Sequence, residues 1–365
     1  VILVVFGTTG ELIKLAPVLV RLQHRDHPYL LATTGQQVTQ IPRFLDQFGL
    51  KQPDLWLARG SNGQDLATNG DIPGWLGCVT NSFRRNYRPL ARALRRGSGS
   101  PLMLVLGDTM TTVAAALMGK ALRIPIAHIE GGLRSGDLRN PFPEEMNRRL
   151  TTWLADIHYA PGRWAVPNLR RGIVVDTGSN TVRDSLQLVP ETLAPPIPIP
   201  LEPFGVVSLH RFELLNSRAQ LTQTLEALAD ASSSTPLLFV DHAVTSAAMN
   251  RYRLANVLEG SGVRRIPRLR FFDFVQLERS CSFVVTDSGG SQQECYYLDK
   301  PCLVHRRRTE WMEGLDENII LSRLDESVLR TFLANPKAHR RRNPLPAESP
   351  GDIIADDLEA RGFAR

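Results

Sequence analysis

Residues 128–149 read HIEGGLRSGDLRNPFPEEMNRR and set a carboxylate on each side of a glycine-rich loop, with basic residues close behind. Glu130 closes the apolar run IPIA, which has the character of a buried strand. Past the loop, Pro143 marks a helix start, and helical residues four apart share a face. Glu144 is thereby placed over Arg148, and Glu145 over Arg149. Alone, such pairs are surface ion pairs worth about a few tenths of a kcal/mol. A further carboxylate changes their weight. Asp108, in VLGDTMTT, follows another strand-like run, where it serves either as a helix N-cap or as a neighbour of Glu130 at one rim of a parallel sheet. With Asp108 and Glu130, Glu144 becomes part of an acid–base cluster in which Arg148 keeps one carboxylate ionised.

Three other segments have the makings of anion sites. In VVTDSGGSQQE a strand ends at Asp287, and Gly289 and Gly290 open a helix whose free N–H groups and dipole favour an anion. Ser288 adds a hydroxyl, and Glu294 is placed to accept from ribose hydroxyls. The alternative is an ordinary strand-to-helix turn that uses glycine for a positive φ. FGTTGELIK is a second glycine turn without the G-K-[ST] ending of a triphosphate loop. There Lys14 either meets an anion or is simply exposed. VVSLHRFE delivers His210 and Arg211 to a strand end, where the pair suits a departing phosphate.

These side chains need a scaffold that brings strand ends together. VILVVF, YLLATTG, LMLVLGD, IPIAHIE, IHYAPG and GIVVDTG alternate with helical patterns such as TTVAAALMGKAL. That alternation implies a parallel sheet covered on both faces. LVPETLAPPIPIPLEP, at 188–203, has too many prolines for a helix or a central strand and reads as a stiff hinge. Alternation resumes with FGVVSLH, PLLFVDH, CSFVVTD and PCLVHR. The fold class is therefore α/β, with two Rossmann-like domains at 1–187 and 204–345, and a helix in 346–365 that packs back. Such sheets bind ligands beyond the carboxyl ends of their strands, so a cleft between the domains is the expected site.

Composition narrows the class. The 365 residues, with a formal charge of +6, suffice for two ordinary domains. Arginine is scattered among acidic residues, which favours a solvated surface or a nucleotide diphosphate over nucleic acid. No apolar run approaches the roughly 20 residues of a membrane span, and the opening residues lack the features of a secretory signal. Cys78, Cys281, Cys295 and Cys302 have no metal-binding spacing and read as free thiols of a cytoplasmic protein.

FGTTGELIKLAP, GDTMTT, the long 128–149 motif, TGSNTVRD, LHRFE and TDSGGSQQE, in this order, resemble the UDP-N-acetylglucosamine 2-epimerase family from residue 2 to about 315. The resemblance implies the glycosyltransferase-B arrangement and, in the non-hydrolysing branch, conversion of UDP-GlcNAc to UDP-ManNAc through a 2-acetamidoglucal intermediate. It implies that Asp108, Glu130 and Glu144 are the acid–base carboxylates, Arg148 their supporting arginine, and His210 the histidine near the diphosphate. Lys14, Ser288, Gly289, Gly290 and Glu294 match positions that hold UDP, and Phe274 matches the aromatic beside uracil. No cofactor or metal is implied, and a homodimer is.

The chain departs from the family pattern at its periphery. G-T-R-P-E becomes Gly7-Thr8-Thr9-Gly10-Glu11, removing an arginine that contacts the diphosphate at Thr9. Q-H-R becomes Gln36-Gln37-Val38, and H-x-N-P becomes His242-Ala243-Val244-Thr245; Gln36 and His242 thus fall at a second, effector site of the bacterial enzymes. R-P-E is replaced within TEWMEG at 309–314. These changes point to lost activation or a modified nucleotide sugar. Two other activities share the scaffold: a hydrolysing 2-epimerase that releases UDP and free ManNAc, and a glycosyltransferase.

Overall fold

The computed structural model describes residues 1–61, 63–66, 69–96, 99–137, 143–195 and 197–364. Loop 138–142 of the long acidic motif therefore lies outside the described residues. The chain divides into two compact units, Val1–Leu188 with Pro346–Arg365, and Val189–Leu345.

The first unit is built on β1 (Ile2–Phe6), β2 (Tyr29–Thr33), β3 (Leu55–Trp56), β4 (Leu102–Leu106), β5 (Ile126–Ile129), β6 (Ile157–Ala160) and β7 (Ile173–Asp176). They form one parallel sheet in the order β3-β2-β1-β4-β5-β6-β7. β1 (ILVVF) and β4 (LMLVL) are buried at every position, as central strands covered on both faces must be. Strand order reverses between β1 and β4, and the loops after them, at Gly7 and Gly107, both open helices. Thr9–His24 starts with a capping box: the Thr8 side chain accepts from Glu11 N, and Glu11 Oε2 accepts from Thr8 N. Met110–Leu122 starts on Thr109, whose hydroxyl accepts from Thr112 N. Asp108 is thus not the N-cap.

The second unit repeats the plan. β8 (Gly205–Ser208), β9 (Leu237–Asp241), β10 (Val263–Pro267), β11 (Phe283–Thr286), β12 (Cys302–Val304) and β13 (Ile319–Leu321) form a parallel sheet ordered β10-β9-β8-β11-β12-β13. Its reversal point lies between β8 and β11, the strands that end in His210 and Ser288. In each unit, then, the chemistry-bearing loops flank the place where strand order reverses, which is where open α/β sheets bind ligands.

The proline-rich segment belongs to the second unit: Ile197 and Ile199 pack against its core, and Pro190 O accepts from Gln276 Nε2. Helix Pro350–Ala360 buries Ile354, Ala355 and Leu358 in the first unit. Arg21 on Thr9–His24 and Arg25, which caps that helix, pair with its Asp352 and Asp356, each at 2.5 Å. Among the described residues no helix is long and apolar enough to cross a membrane, and all four cysteines are free.

Candidate active site

The first unit assembles its carboxylates from two strand-end loops and one helix. β4 and β5 are neighbours in register, Leu106 opposite Ile129, so Asp108 and Glu130 leave adjacent strands at the same rim. Gly107 donates its N–H to Ile129 O at 3.0 Å, and a Cβ placed on it would lie 3.4 Å from Glu130 Oε2. Glu130 has φ 69°, the left-handed region that residues with a Cβ rarely enter. Its Oε1 accepts from Lys14 Nζ and from Asn180 Nδ2, both at 2.6 Å. Lys14, expected at the nucleotide, is thereby set beside a catalytic candidate.

Helix Glu144–Leu154 supplies the rest, and here the expectation from spacing fails. Arg148 is 3 % exposed; its guanidinium pairs with Asp108 across the fold, and its Nη1 lies 3.4 Å from Glu145 Oε2. It does not sit as the simple one-turn partner of Glu144. Arg149 keeps its expected place, with Nε 3.2 Å from Glu145 Oε1. Glu145 is fully buried and also accepts from Ser135 N at 3.0 Å, which ties the glycine-rich loop to the helix. Glu144 is half-buried, and its Oε2 is shielded from water with no hydrogen-bond partner among the described residues. A buried carboxylate oxygen in that condition calls for a hydrogen-bond donor.

Behind these groups lies a supporting layer. His128 Nε2 bonds Gly107 O at 2.8 Å, and burial pushes that imidazole down to about 3. Asn147 Nδ2 donates to Asp108 O at 2.9 Å. Glu11 bridges the loops after β1 and β4 by accepting from Gly7 N at 2.9 Å and Thr109 Oγ1 at 2.7 Å. Burial raises its carboxyl, opposed by those bonds.

Two altered positions touch each other. Thr9 N and Oγ1 both donate to Gln37 Oε1 at 2.8 Å, so the hydroxyl that replaces the family arginine is held by the glutamine that replaces the family histidine. Gln36 Nε2 donates to Thr111 Oγ1 at 2.9 Å.

The second unit holds the residues expected to meet an anion. Asp287 is fully buried and accepts from His210 N at 2.8 Å and Arg211 N at 2.7 Å. This carboxylate clamps the loop after β8 to the end of β11, and His210 Nδ1 lies 3.3 Å from its Oδ1. The His210 ring lies against that of His242, tilted by 36° with centroids 4.6 Å apart, and His242 Nε2 meets Ser208 Oγ at 3.0 Å. Burial holds both imidazoles near pKa 4, with Arg211 and Arg268 adding to the effect on His210, and His210 and Arg268 on His242. His242 is therefore a neighbour of His210, while Gln36 belongs to the other unit.

Ser288 caps helix Gly289–Tyr297. Neither Gly289 nor Gly290 has a positive φ, so the turn does not require glycine for its backbone. Nor does packing: a Cβ on Gly289 would meet nothing closer than 3.4 Å, and one on Gly290 nothing closer than 3.5 Å. The two glycines leave the first helical turn without side chains of its own, while Glu310 Oε1 and the Trp311 indole each lie 3.4 Å from a Cβ placed on Gly289. Glu294 lies on the same helix, its Oε1 3.9 Å from that notional Gly290 Cβ. The Trp311 indole, at the altered R-P-E position, borders Gly289. Phe274 is half-buried on helix Phe271–Ser280, against the core.

Sequence reasoning passed over Asn180, Glu11 and Asp287 as a clamp. Asn180 stands inside the quoted TGSNTVRD and Asp287 inside TDSGG, so their motifs were the available signal.

Comparison with known proteins agrees with this arrangement. The family model described as UDP-N-acetylglucosamine 2-epimerase matches residues 92–339. The UDP-N-acetylglucosamine 2-epimerase of Methanococcus maripaludis is 29 % identical over 97 % of this chain and 96 % of its own. The UDP-2,3-diacetamido-2,3-dideoxy-D-glucuronate 2-epimerase of Pseudomonas aeruginosa is 30 % identical over 86 % of this chain and 85 % of its own. In structure, UDP-GlcNAc 2-epimerase from Methanocaldococcus jannaschii, solved in complex with UDP-GlcNAc and UDP, superposes with a TM-score of 0.79 at 25 % identity, covering 98 % of this chain and 99 % of that one. Two parallel sheets of glycosyltransferase-B type, the ordered motifs and the whole-length matches lead to one statement: this chain belongs to the UDP-N-acetylglucosamine 2-epimerase family.

Proposed function

We propose that the chain inverts C2 of a UDP-N-acetylhexosamine, converting UDP-GlcNAc to UDP-ManNAc without hydrolysis. The observation that carries this reading is the delivery of Asp108 and Glu130 to one sheet rim by adjacent strands, with Arg148 on the first and Lys14 on the second. The C2 proton is not α to a carbonyl, so its removal alone is very unfavourable. Removal becomes feasible when the C1–O bond to UDP breaks in the same process and C1=C2 forms, giving 2-acetamidoglucal and UDP. UDP oxygen then adds back to C1 while a proton enters C2 from the opposite face. Acid–base groups are needed on both faces, which the Asp108, Glu130 and Glu144 set supplies. Ser288, the Gly289–Gly290 turn, His210 and Arg211 hold the diphosphate while it is detached, and Glu294 holds the ribose.

Incubation of UDP-GlcNAc in heavy water tests this. Solvent deuterium is expected at C2, with UDP-ManNAc appearing. Product formed without exchange overturns the mechanism, and accumulation of free ManNAc establishes the hydrolysing alternative. The Thr9–Gln37 contact and the Pseudomonas relative favour a second reading, in which the preferred substrate is a modified UDP-amino sugar. A panel of nucleotide sugars assayed for C2 exchange decides between the two.

A further inference from the structure

The main chain of Glu130 is fixed on both sides: Gly107 N donates to Ile129 O and Gly131 N to Tyr159 O, each at 3.0 Å. What such a residue keeps free is the rotation of its carboxyl group. Two donors remove that freedom, and both reach the same oxygen. Lys14 Nζ and Asn180 Nδ2 each lie 2.6 Å from Oε1. Oε2 accepts from nothing among the described residues, and unlike Glu144 Oε2 it is not shut off from water. It faces Gly107, the residue before Asp108, where a Cβ would stand 3.4 Å away.

We propose that Asn180 is a positioning residue that, with Lys14, occupies Glu130 Oε1 and leaves Oε2 as the oxygen through which Glu130 transfers its proton. The inference rests on the acid–base role given to Glu130 above. A proton taken from C2 ends on Oε2, while the C–H electron pair forms C1=C2 and the C1–O pair leaves with UDP. The surroundings of Asn180 suit a lock. Its side chain is buried, and its Oδ1 accepts from Val182 N at 2.9 Å. The amide cannot turn over without losing that bond and setting an oxygen against a carboxylate. The Val182 contact spans two residues, as in an Asx turn, at the head of helix Val182–Gln187. That helix is held in its turn by Ser185, whose Oγ donates to Ile13 O at 2.7 Å. Ile13 directly precedes Lys14, so the segments that bring the two donors to Oε1 are tied to each other.

The test is steady-state epimerisation, beside calorimetry with UDP, on the whole protein: wild type, Asn180→Ser, Asn180→Asp, Glu130→Gln, and Asn180→Ser combined with Glu130→Gln. In Asn180→Ser the hydroxyl takes over the bond from Val182 N but is too short to reach Glu130. Its kcat should fall about ten- to a hundredfold, with KM and UDP affinity within a few-fold of wild type. Asn180→Asp keeps the size and the acceptor for Val182 but sets oxygen against oxygen, and should lose at least as much. Adding Asn180→Ser to Glu130→Gln should cost no further turnover, because the two residues act as one unit. Wild-type kcat in Asn180→Ser, a loss confined to KM, or a loss that multiplies with that of Glu130→Gln overturns the proposal. Should the aspartate variant fail to fold, the serine variant, which adds no charge, still decides. Wild-type turnover in Glu130→Gln overturns the acid–base role of Glu130 itself, and is thereby distinguished from failure of the Asn180 step alone.

Discussion

Arg148 makes its ion pair with Asp108, a residue forty positions earlier in the chain, rather than with Glu144 one helical turn away. The pair joins the end of β4 to helix Glu144–Leu154, and Glu145 takes a second nitrogen of the same guanidinium. Removing Arg148 takes a guanidinium nitrogen from two carboxylates at once, although Glu145 keeps Arg149 and Ser135. Arg148→Ala should lower the unfolding free energy by about 3 kcal/mol or more and cut turnover at least about a hundredfold. Arg148→Lys keeps the charge without the fork and should fall between them. Thermal denaturation and steady-state rates check both.

Asp108→Asn, Glu130→Gln and Glu144→Gln should each reduce turnover by about a hundredfold to ten-thousandfold, while UDP affinity stays within a few-fold of wild type. The acid–base set and the anion site belong to separate units, so the two readouts separate cleanly. Calorimetry with UDP beside an NMR epimerisation assay measures each. A collapse of UDP binding would move these carboxylates out of the chemistry.

Two glycines make opposite predictions. Gly290→Ala adds a methyl that no atom of the chain opposes within 3.5 Å, at a backbone conformation any residue adopts. Stability should hold while UDP affinity drops about tenfold, equivalent to about 1.4 kcal/mol. Gly7→Ala drives its methyl to 2.1 Å from Thr111 Oγ1 and 2.5 Å from Thr34 Oγ1, and should destabilise the fold itself. Melting temperatures and UDP titrations distinguish them.

His128 makes stability fall in acid. Its folded pKa, about 3, lies below the ordinary 6.5, so the unfolded chain takes up the proton first. The contribution is complete above about pH 6.5 and declines as pH drops toward 3, at about 1.4 kcal/mol per pH unit. Denaturant midpoints measured across this range should show a shallower decline for His128→Gln than for wild type.

Much of this architecture is written locally. ILVVF and LMLVL announce buried parallel strands, and the Thr8–Glu11 capping box marks where the first helix begins. Harder to read are elements whose reasons lie elsewhere in the fold. β10, VRRIP, is an edge strand with two exposed arginines and a terminal proline, so it carries no apolar alternation. β3 and β13 are only two and three residues long. Helix Ile72–Leu94 contains Pro89 and opens on Pro73, which masks its periodicity. For the site, strand ends located Asp108, Glu130, His210 and Ser288, because the loops that follow parallel strands are fixed by topology. The partner of Arg148 escaped, since helical spacing weighs only neighbours on one helix and Asp108 arrives from another.

Helix Pro350–Ala360 docks on Thr9–His24, and Asp184 receives hydrogen bonds from Ser349 Oγ and Gly351 N at 2.7 and 2.8 Å. The unit begun at Val1 is therefore closed only by residues made more than three hundred positions later. On the ribosome, the intervening unit has all of its own chain first, so order of synthesis and order of completion are inverted. Until helix Pro350–Ala360 emerges, Arg21 lacks Asp352 and the buried Asp184 lacks Ser349 and Gly351, and the two hold only the 3.4 Å ion pair they make with each other.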